Sequence, residues 1–170
     1  MEINVGSIMS PSFNSTNGIA MDIFLTGCTR FCKGCHNTNL WDKNAGIRIS
    51  FEEIERIVKS KKVIDSIAVM GGEPLENPLL PDLLSMLSKT GKTLWLYTSF
   101  ELDEIPSEIK QYCDFIKTGR FIEELYCDER LKSSNQKIFI KGEEEWRLYY
   151  ERGVTYGEIL GRDTMLEKQM

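Results

Sequence analysis

The chain has 170 residues, 41% hydrophobic and 28% charged, which suits one globular, soluble domain with a single sizeable core. Its net charge is −5 and no Lys/Arg stripe stands out, so a nucleic-acid surface is not expected. No apolar run approaches the roughly 18 residues of a membrane span, and the start lacks the basic-then-apolar pattern of a signal peptide, so the expectation is a cytoplasmic protein without a membrane partner.

Residues 10–18 (SPSFNSTNG) read as a loop. MDIFLT (21–26) reads as an apolar strand running into Gly27 and Cys28. Ser50 and Glu53 form a capping-box pattern, with Phe51, Ile54, Ile57 and Val58 at helical spacing behind it. SIAVM (66–70) is a short buried strand that leads into Gly71-Gly72-Glu73-Pro74. Asn77 and Pro78 open a second helix whose apolar face carries Leu80, Leu83, Leu84 and Leu87. TLWLYT (93–98) is the next strand, followed by a short helix near 106–112 and strands at 114–118 and 136–141.

Strands alternating with helices predict an α/β fold with a mostly parallel sheet, whose functional loops lie at the strands' C-terminal ends. Five strands are too few for a closed eight-stranded barrel. The expected form is a partial, open βα barrel, with a flat doubly wound sheet as the alternative. Residues 1–141 make the main domain, and 142–170 form an extension packing on it. There Trp146, Leu148, Tyr149 and Tyr150 would line a helix.

The cysteines carry the chemistry. There are five, an odd number, and three of them (Cys28, Cys32 and Cys35) crowd into the loop GCTRFCKGCHN. A disulfide scaffold is not expected from that pattern, and metal binding is. Thiolates are soft anionic donors for iron or zinc. A 4Fe–4S cluster normally takes four cysteines, so three would leave one iron open to another ligand. The amino and carboxylate groups of S-adenosylmethionine (SAM) are such a ligand. A zinc site completed by His36 is the competing reading, strained because His36 abuts Cys35. A ferredoxin-like carrier would want a fourth cysteine in a regular run. Cys113 and Cys127 are the spare thiols and read as core or surface residues. Gly71 and Gly72 permit close backbone approach, Glu73 adds an acceptor, and Pro74 fixes the exit of the loop.

Several segments together resemble the radical SAM activating proteins, most closely the activases of anaerobic (class III) ribonucleoside-triphosphate reductase. They are FLTGCTRFCKGCHNTNLWD (24–42), AVMGGEPL (68–75), LWLYTS (94–99), DFIKTGRF (114–121) and SSNQ (133–136). The resemblance runs from about residue 5 to about residue 141.

It implies that Cys28, Cys32 and Cys35 hold a 4Fe–4S cluster. It also implies that Gly34, Cys35 and His36, with Gly71, Gly72, Glu73 and Pro74, contact SAM. The reaction implied is reductive SAM cleavage that installs a glycyl radical on the large reductase subunit, with a flavodoxin or ferredoxin-type electron donor. The alternative is a radical SAM enzyme acting on a small molecule or on another glycyl radical enzyme. His36 reads as a packing or backbone-contact residue rather than a base, and no catalytic side chain is expected beyond the cluster and SAM site. Trp41 and Asp42 either shape the substrate-side surface or are a core Trp and a turn Asp.

The sequence departs from that family at four places. Ser15-Thr16-Asn17-Gly18 stands for its N-G-P-G, Thr118-Gly119 for D-G, Leu131-Lys132 for an Arg-Gly, and Glu73 for a frequent Asp.

Overall fold

The computed structural model describes residues 1–13, 15–127 and 130–152. One eight-stranded sheet runs through it: β1 (Glu2–Ser12), β2 (Ala20–Leu25), β3 (Ile47–Ser50), β4 (Ser66–Gly71), β5 (Thr93–Tyr97), β6 (Phe115–Thr118), β7 (Lys137–Lys141) and β8 (Trp146–Glu151). The strand order is β3-β1-β2-β4-β5-β6-β7-β8. β2, β4, β5 and β6 pair in parallel at the centre. The flanking pairs β1–β2, β1–β3, β6–β7 and β7–β8 are antiparallel.

The expected α/β class holds, but the sheet is mixed rather than mostly parallel. Connections explain the difference. Helices α1 (Phe51–Ser60), α2 (Leu80–Ser88) and α3 (Ser107–Lys110) lie before β4, β5 and β6 and return the chain to the same end of the sheet. β7 and β8 are joined by residues 142–145, too short a link for a crossover, which reverses direction instead. Edge strands β3 and β8 do not pair with each other among the described residues, so the sheet is open.

Two expectations are corrected here. Residues 10–12, read as loop, are the end of β1. The aromatic cluster 146–150, read as helical, is strand β8, whose Tyr149 packs on Phe115 at 5.1 Å between ring centroids. Residues 153–170 of the expected extension lie outside the described residues.

Helix starts follow local chemistry. Ser50 accepts the Glu53 N–H at 3.1 Å, as an N-cap does. The Glu53 carboxylate turns to Arg56 instead of reaching back, so only half of the capping box forms. Asn77 Oδ1 accepts the Leu79 N–H at 3.0 Å just ahead of α2.

Alternation along the parallel strands divides the interior in two. Met21, Ile23, Leu25, Ile67, Val69, Leu94, Leu96 and Ile116 join the helix-facing core with Ile54, Val58, Leu80, Leu83, Leu84 and Leu87. Ala68, Trp95, Met70, Tyr97 and Phe115 belong to the second core, with Leu131, Ile138 and Tyr149. The second core grades into a cavity at the C-terminal ends of β2, β4, β5 and β6. Among the described residues no helix is long and apolar enough to cross a membrane.

Leu83 is fully buried on α2. Leu83→Ala is expected to cost about 2–5 kcal/mol through lost burial and the void left behind. Denaturant unfolding should show the midpoint fall with the slope unchanged.

Candidate functional site

The cysteine loop leaves β2 and is knitted to the next parallel strand by backbone bonds. Gly27 N–H donates to the Leu40 carbonyl at 2.8 Å and Cys28 N–H to the Trp41 carbonyl at 3.0 Å, closing the loop on itself. Glu73 N–H donates to the Gly27 carbonyl at 2.8 Å, joining the loop to the end of β4. Gly72 permits that approach: a Cβ there would stand 2.3 Å from the Gly27 oxygen and 3.1 Å from the Leu40 oxygen. Asn37 Nδ2 adds a bond to the Gly71 carbonyl at 3.2 Å. Within the loop the chain turns through left-handed backbone at Phe31 (φ 45°) and Gly34 (φ 70°). Phe31 holds this uncommon conformation with its ring set edge-on to Trp41 at 5.1 Å.

Glu73 organises the polar side of the site. It is 2% exposed. Its carboxylate accepts from Thr98 Oγ1 (2.7 Å), Ser99 N (2.8 Å), Ser99 Oγ (2.5 Å) and Leu75 N (3.1 Å). A buried carboxylate needs such donors, and here they tie the β4 loop to the end of β5. Arg30 Nε reaches the same Ser99 hydroxyl at 2.9 Å while its guanidinium lies 4.0 Å over the Phe100 ring. Thr29 donates twice to Glu76, each bond 2.8 Å. The cysteine loop is thereby held along its length by neighbouring loops.

These loops open onto a cavity of about 380 Å³, within the range of small-molecule sites. Cys28, Cys32, Cys35, His36, Gly71, Gly72 and Glu73 line it. Two expected site residues stand off the lining. Pro74 is buried behind the loop at the start of a short 3-10 turn. Gly34 faces outward, where a Cβ would come within 2.6 Å of the Glu123 carboxylate. His36 is exposed and rests against Phe121 (5.5 Å) and Tyr126 (6.2 Å), a packing position. Cys113 and Cys127 do not line the cavity, and their thiols donate to the Ile109 and Leu131 carbonyls. Burial pushes the Cys113 thiol up to about 12, the behaviour of an inert core thiol.

The donor set fits an iron–sulfur cluster. Three thiols share one wall of the cavity. Cys35 Sγ accepts the Asn37 N–H at 3.4 Å and Cys32 Sγ accepts from Arg120 Nε at 3.3 Å, contacts that suit sulfurs carrying negative charge. Trp41 Nε1, beside them on the lining, is buried and lacks a hydrogen-bond partner among the described residues. Burial holds the Cys28 thiol above its ordinary range; Glu76 and Glu73 add to this, and the Arg30 and Phe31 backbone N–H groups oppose it. A ligating metal reverses that tendency, because coordination favours the thiolate. No three His, Cys, Asp or Glu side chains among the described residues converge closely enough to hold a single ion.

Sequence reading missed the cationic wall opposite. Lys117, on β6, is 6% exposed and lies 4.8 Å from the Tyr97 ring centroid. Burial, then Lys132, pushes its ammonium down to about 8; Arg130 acts in the same direction and Cys127 opposes. Arg130 and Lys132 line the same cavity. Asp22, bonded by Ser15, lies on the lining as well, and the Tyr97 hydroxyl donates to the Ser15 carbonyl. The signal available in sequence was a lysine inside an apolar strand, FIKT, at a position alternation assigns to the interior.

Fold and site together define a mixed α/β protein with a three-cysteine metal loop at the C-terminal end of its parallel strands. Residues 15–139 match the model of the 4Fe-4S single cluster domain family, and the chain belongs to that family. Over 120 residues it is 28% identical to the anaerobic ribonucleoside-triphosphate reductase-activating protein of Salmonella typhimurium, covering 64% of this chain and 78% of that protein. The protein of the same name from Enterobacteria phage T4 is 24% identical over 154 residues, covering 85% of this chain and 99% of the relative. Among solved structures, QueE from Escherichia coli superposes with a TM-score of 0.51 at 18% identity, over 69% of this chain and 71% of that one, a likeness of fold.

Two outcomes test this geometry. Gly72→Ala should push the β4 loop off the Gly27 carbonyl, lowering thermal stability and iron content after anaerobic reconstitution together. A stable Gly72→Ala protein with full iron would show that the close approach is dispensable.

Lys117 supplies the pH test. Below pH 8 it is charged both folded and unfolded, so the cost of burying the charge is fully present. Between pH 8 and 10.5 the folded protein releases the proton while the unfolded chain keeps it, and the cost is relieved. Lys117→Met should therefore stabilise the ligand-free protein by roughly 2–3 kcal/mol at pH 7 and by less at pH 10. Thermal melts at the two values check this, and an equal gain at both would refute the buried-charge account.

Proposed function

We propose that this protein is a radical SAM activase that cleaves SAM reductively and installs a glycyl radical on the large subunit of an anaerobic ribonucleoside-triphosphate reductase. The observation that carries the reading is the shared cavity: the three thiols of a cluster-binding loop and the Gly71-Gly72-Glu73 loop line it together, interlocked at Gly27. The name shared by relatives spanning most of this chain supports the choice of partner.

Cys28, Cys32 and Cys35 would hold the cluster. When bound, a cluster with three protein ligands supplies one electron and an open coordination position for SAM. The chain's own residues do the rest by binding and orientation. The β4 loop, fixed by Glu73, places its backbone beside the cysteine loop, where the SAM amino group is expected. Lys117, Arg130 and Lys132 add positive charge to the same cavity on its β6 side, away from the iron position that takes the amino and carboxylate groups together. His36 and Phe121 flank the mouth, through which a glycine loop of the partner would enter.

An open-barrel curl of the sheet, a flavodoxin or ferredoxin-type electron donor, and residues 1–141 as the radical SAM unit belong to the same reading. A cytoplasmic setting fits it too, since thiols stay reduced there.

The test is electron paramagnetic resonance on the reconstituted protein mixed anaerobically with SAM, reductant and the reductase subunit. A glycyl doublet is expected, dependent on SAM and abolished in Cys28→Ala, Cys32→Ala and Cys35→Ala. Cys113→Ala and Cys127→Ala should retain the cluster. Abundant 5′-deoxyadenosine without a radical on that subunit would move the assignment to another glycyl radical enzyme or a small-molecule substrate.

A further inference from the structure

The excursion between β6 and β7 places one cation directly on a cluster-ligand sulfur. Arg120 Nε donates to Cys32 Sγ at 3.3 Å, and Arg120 Nη2 donates to the Arg30 carbonyl at 2.7 Å. Two bonds from one planar group fix both its distance and its direction.

The backbone carrying Arg120 is held in turn by the late Ser-Ser-Asn-Gln segment. Asn135 Nδ2 donates to the Arg120 carbonyl at 2.9 Å and Gln136 Nε2 to the Gly119 carbonyl at 3.0 Å. Gln136 Oε1 accepts the N–H groups of Lys132 and Ser133 at 3.0 and 3.2 Å, so the turn closes on itself. Ser133 Oγ accepts the Ile122 N–H at 3.3 Å.

We propose that Arg120 is a positioning residue that raises the reduction potential of the cluster held by Cys28, Cys32 and Cys35. The Ser133–Gln136 turn serves to keep it on the Cys32 sulfur. Reduction adds one negative charge, shared among irons, sulfides and thiolates. A fixed cation with an N–H directed at a ligating sulfur stabilises the reduced state more than the oxidised one.

The neighbouring cations are engaged elsewhere. Arg30 stacks on Phe100 and bonds Ser99, and Lys33 pairs with Glu123 at 2.8 Å and Glu124 at 3.4 Å. Arg120 is exposed on its outer side, so added salt weakens the effect. The inference rests on the cluster-binding part of the proposed function and needs neither SAM nor the partner.

The experiment is an anaerobic redox titration of the full chain after cluster reconstitution, followed by electron paramagnetic resonance of the reduced cluster, with no SAM or reductase present. Arg120→Gln keeps an N–H donor and removes the charge. With iron and sulfide content equal to the parent, it should shift the reduced-to-oxidised ratio about tenfold toward oxidised at fixed potential, ~59 mV for a one-electron couple. Asn135→Ala leaves the charge but frees its backbone, and should shift the ratio the same way by less. A fully loaded Arg120→Gln protein with the parent's midpoint would overturn the proposal. Loss of the cluster in both variants would also overturn it, in favour of a role in assembly. A parent chain that binds no cluster would instead defeat the functional reading on which the proposal stands.

Discussion

The close contact between Gly27 and Gly72 is the constraint on which the site depends. Two parallel strands deliver their C-terminal ends side by side, and any side chain at Gly72 would separate them. Because the contact is backbone to backbone, it fixes the cysteine loop against the β4 loop without using a cysteine or the Glu73 carboxylate. Those groups stay free for other work. Glu73 spends its oxygens on β5, and the thiols face the cavity.

Charge is distributed in keeping with that frame. On the lining, Glu73 and Arg30 lie with the cysteines, Asp22 lies on β2, and Lys117, Arg130 and Lys132 lie on the β6 side. Cations outnumber carboxylates on the lining, which favours a ligand bearing an anionic group. The cost falls on Lys117, whose charge is kept in a buried site with no carboxylate bonded to it among the described residues. Binding sites often hold strain of this kind, relieved only when the ligand arrives.

Much of this was legible in the residues. The central strands showed as apolar runs, the first two helices as leucine and isoleucine at helical spacing, and the cysteine spacing pointed to a cluster directly. The flanking strands were not legible. β1 contains Asn4, Gly6, Ser10 and Pro11, which read as turn chemistry, and only Ile3 and Val5 in it are fully buried. β8 places Trp146, Tyr149 and Tyr150 at spacings a helix would also bury, and pairing with β7 decided the matter. Tertiary pairing overrides local propensity at sheet edges. Arg120 was invisible for a related reason. Its role depends on a sulfur 88 positions earlier and a turn 15 positions later, and no local pattern encodes either.

The bonds that shape the cysteine loop reach well beyond the loop itself. In small zinc modules the ion creates the fold, and the apo chain is unfolded. Here Gly27, Cys28, Thr29, Arg30 and Asn37 are each anchored to Leu40, Trp41, Glu76, Ser99 or Gly71. The shape of the loop is therefore set from several sides at once, and a change at Glu76, Ser99 or Asn37 would displace the cysteines without replacing one of them.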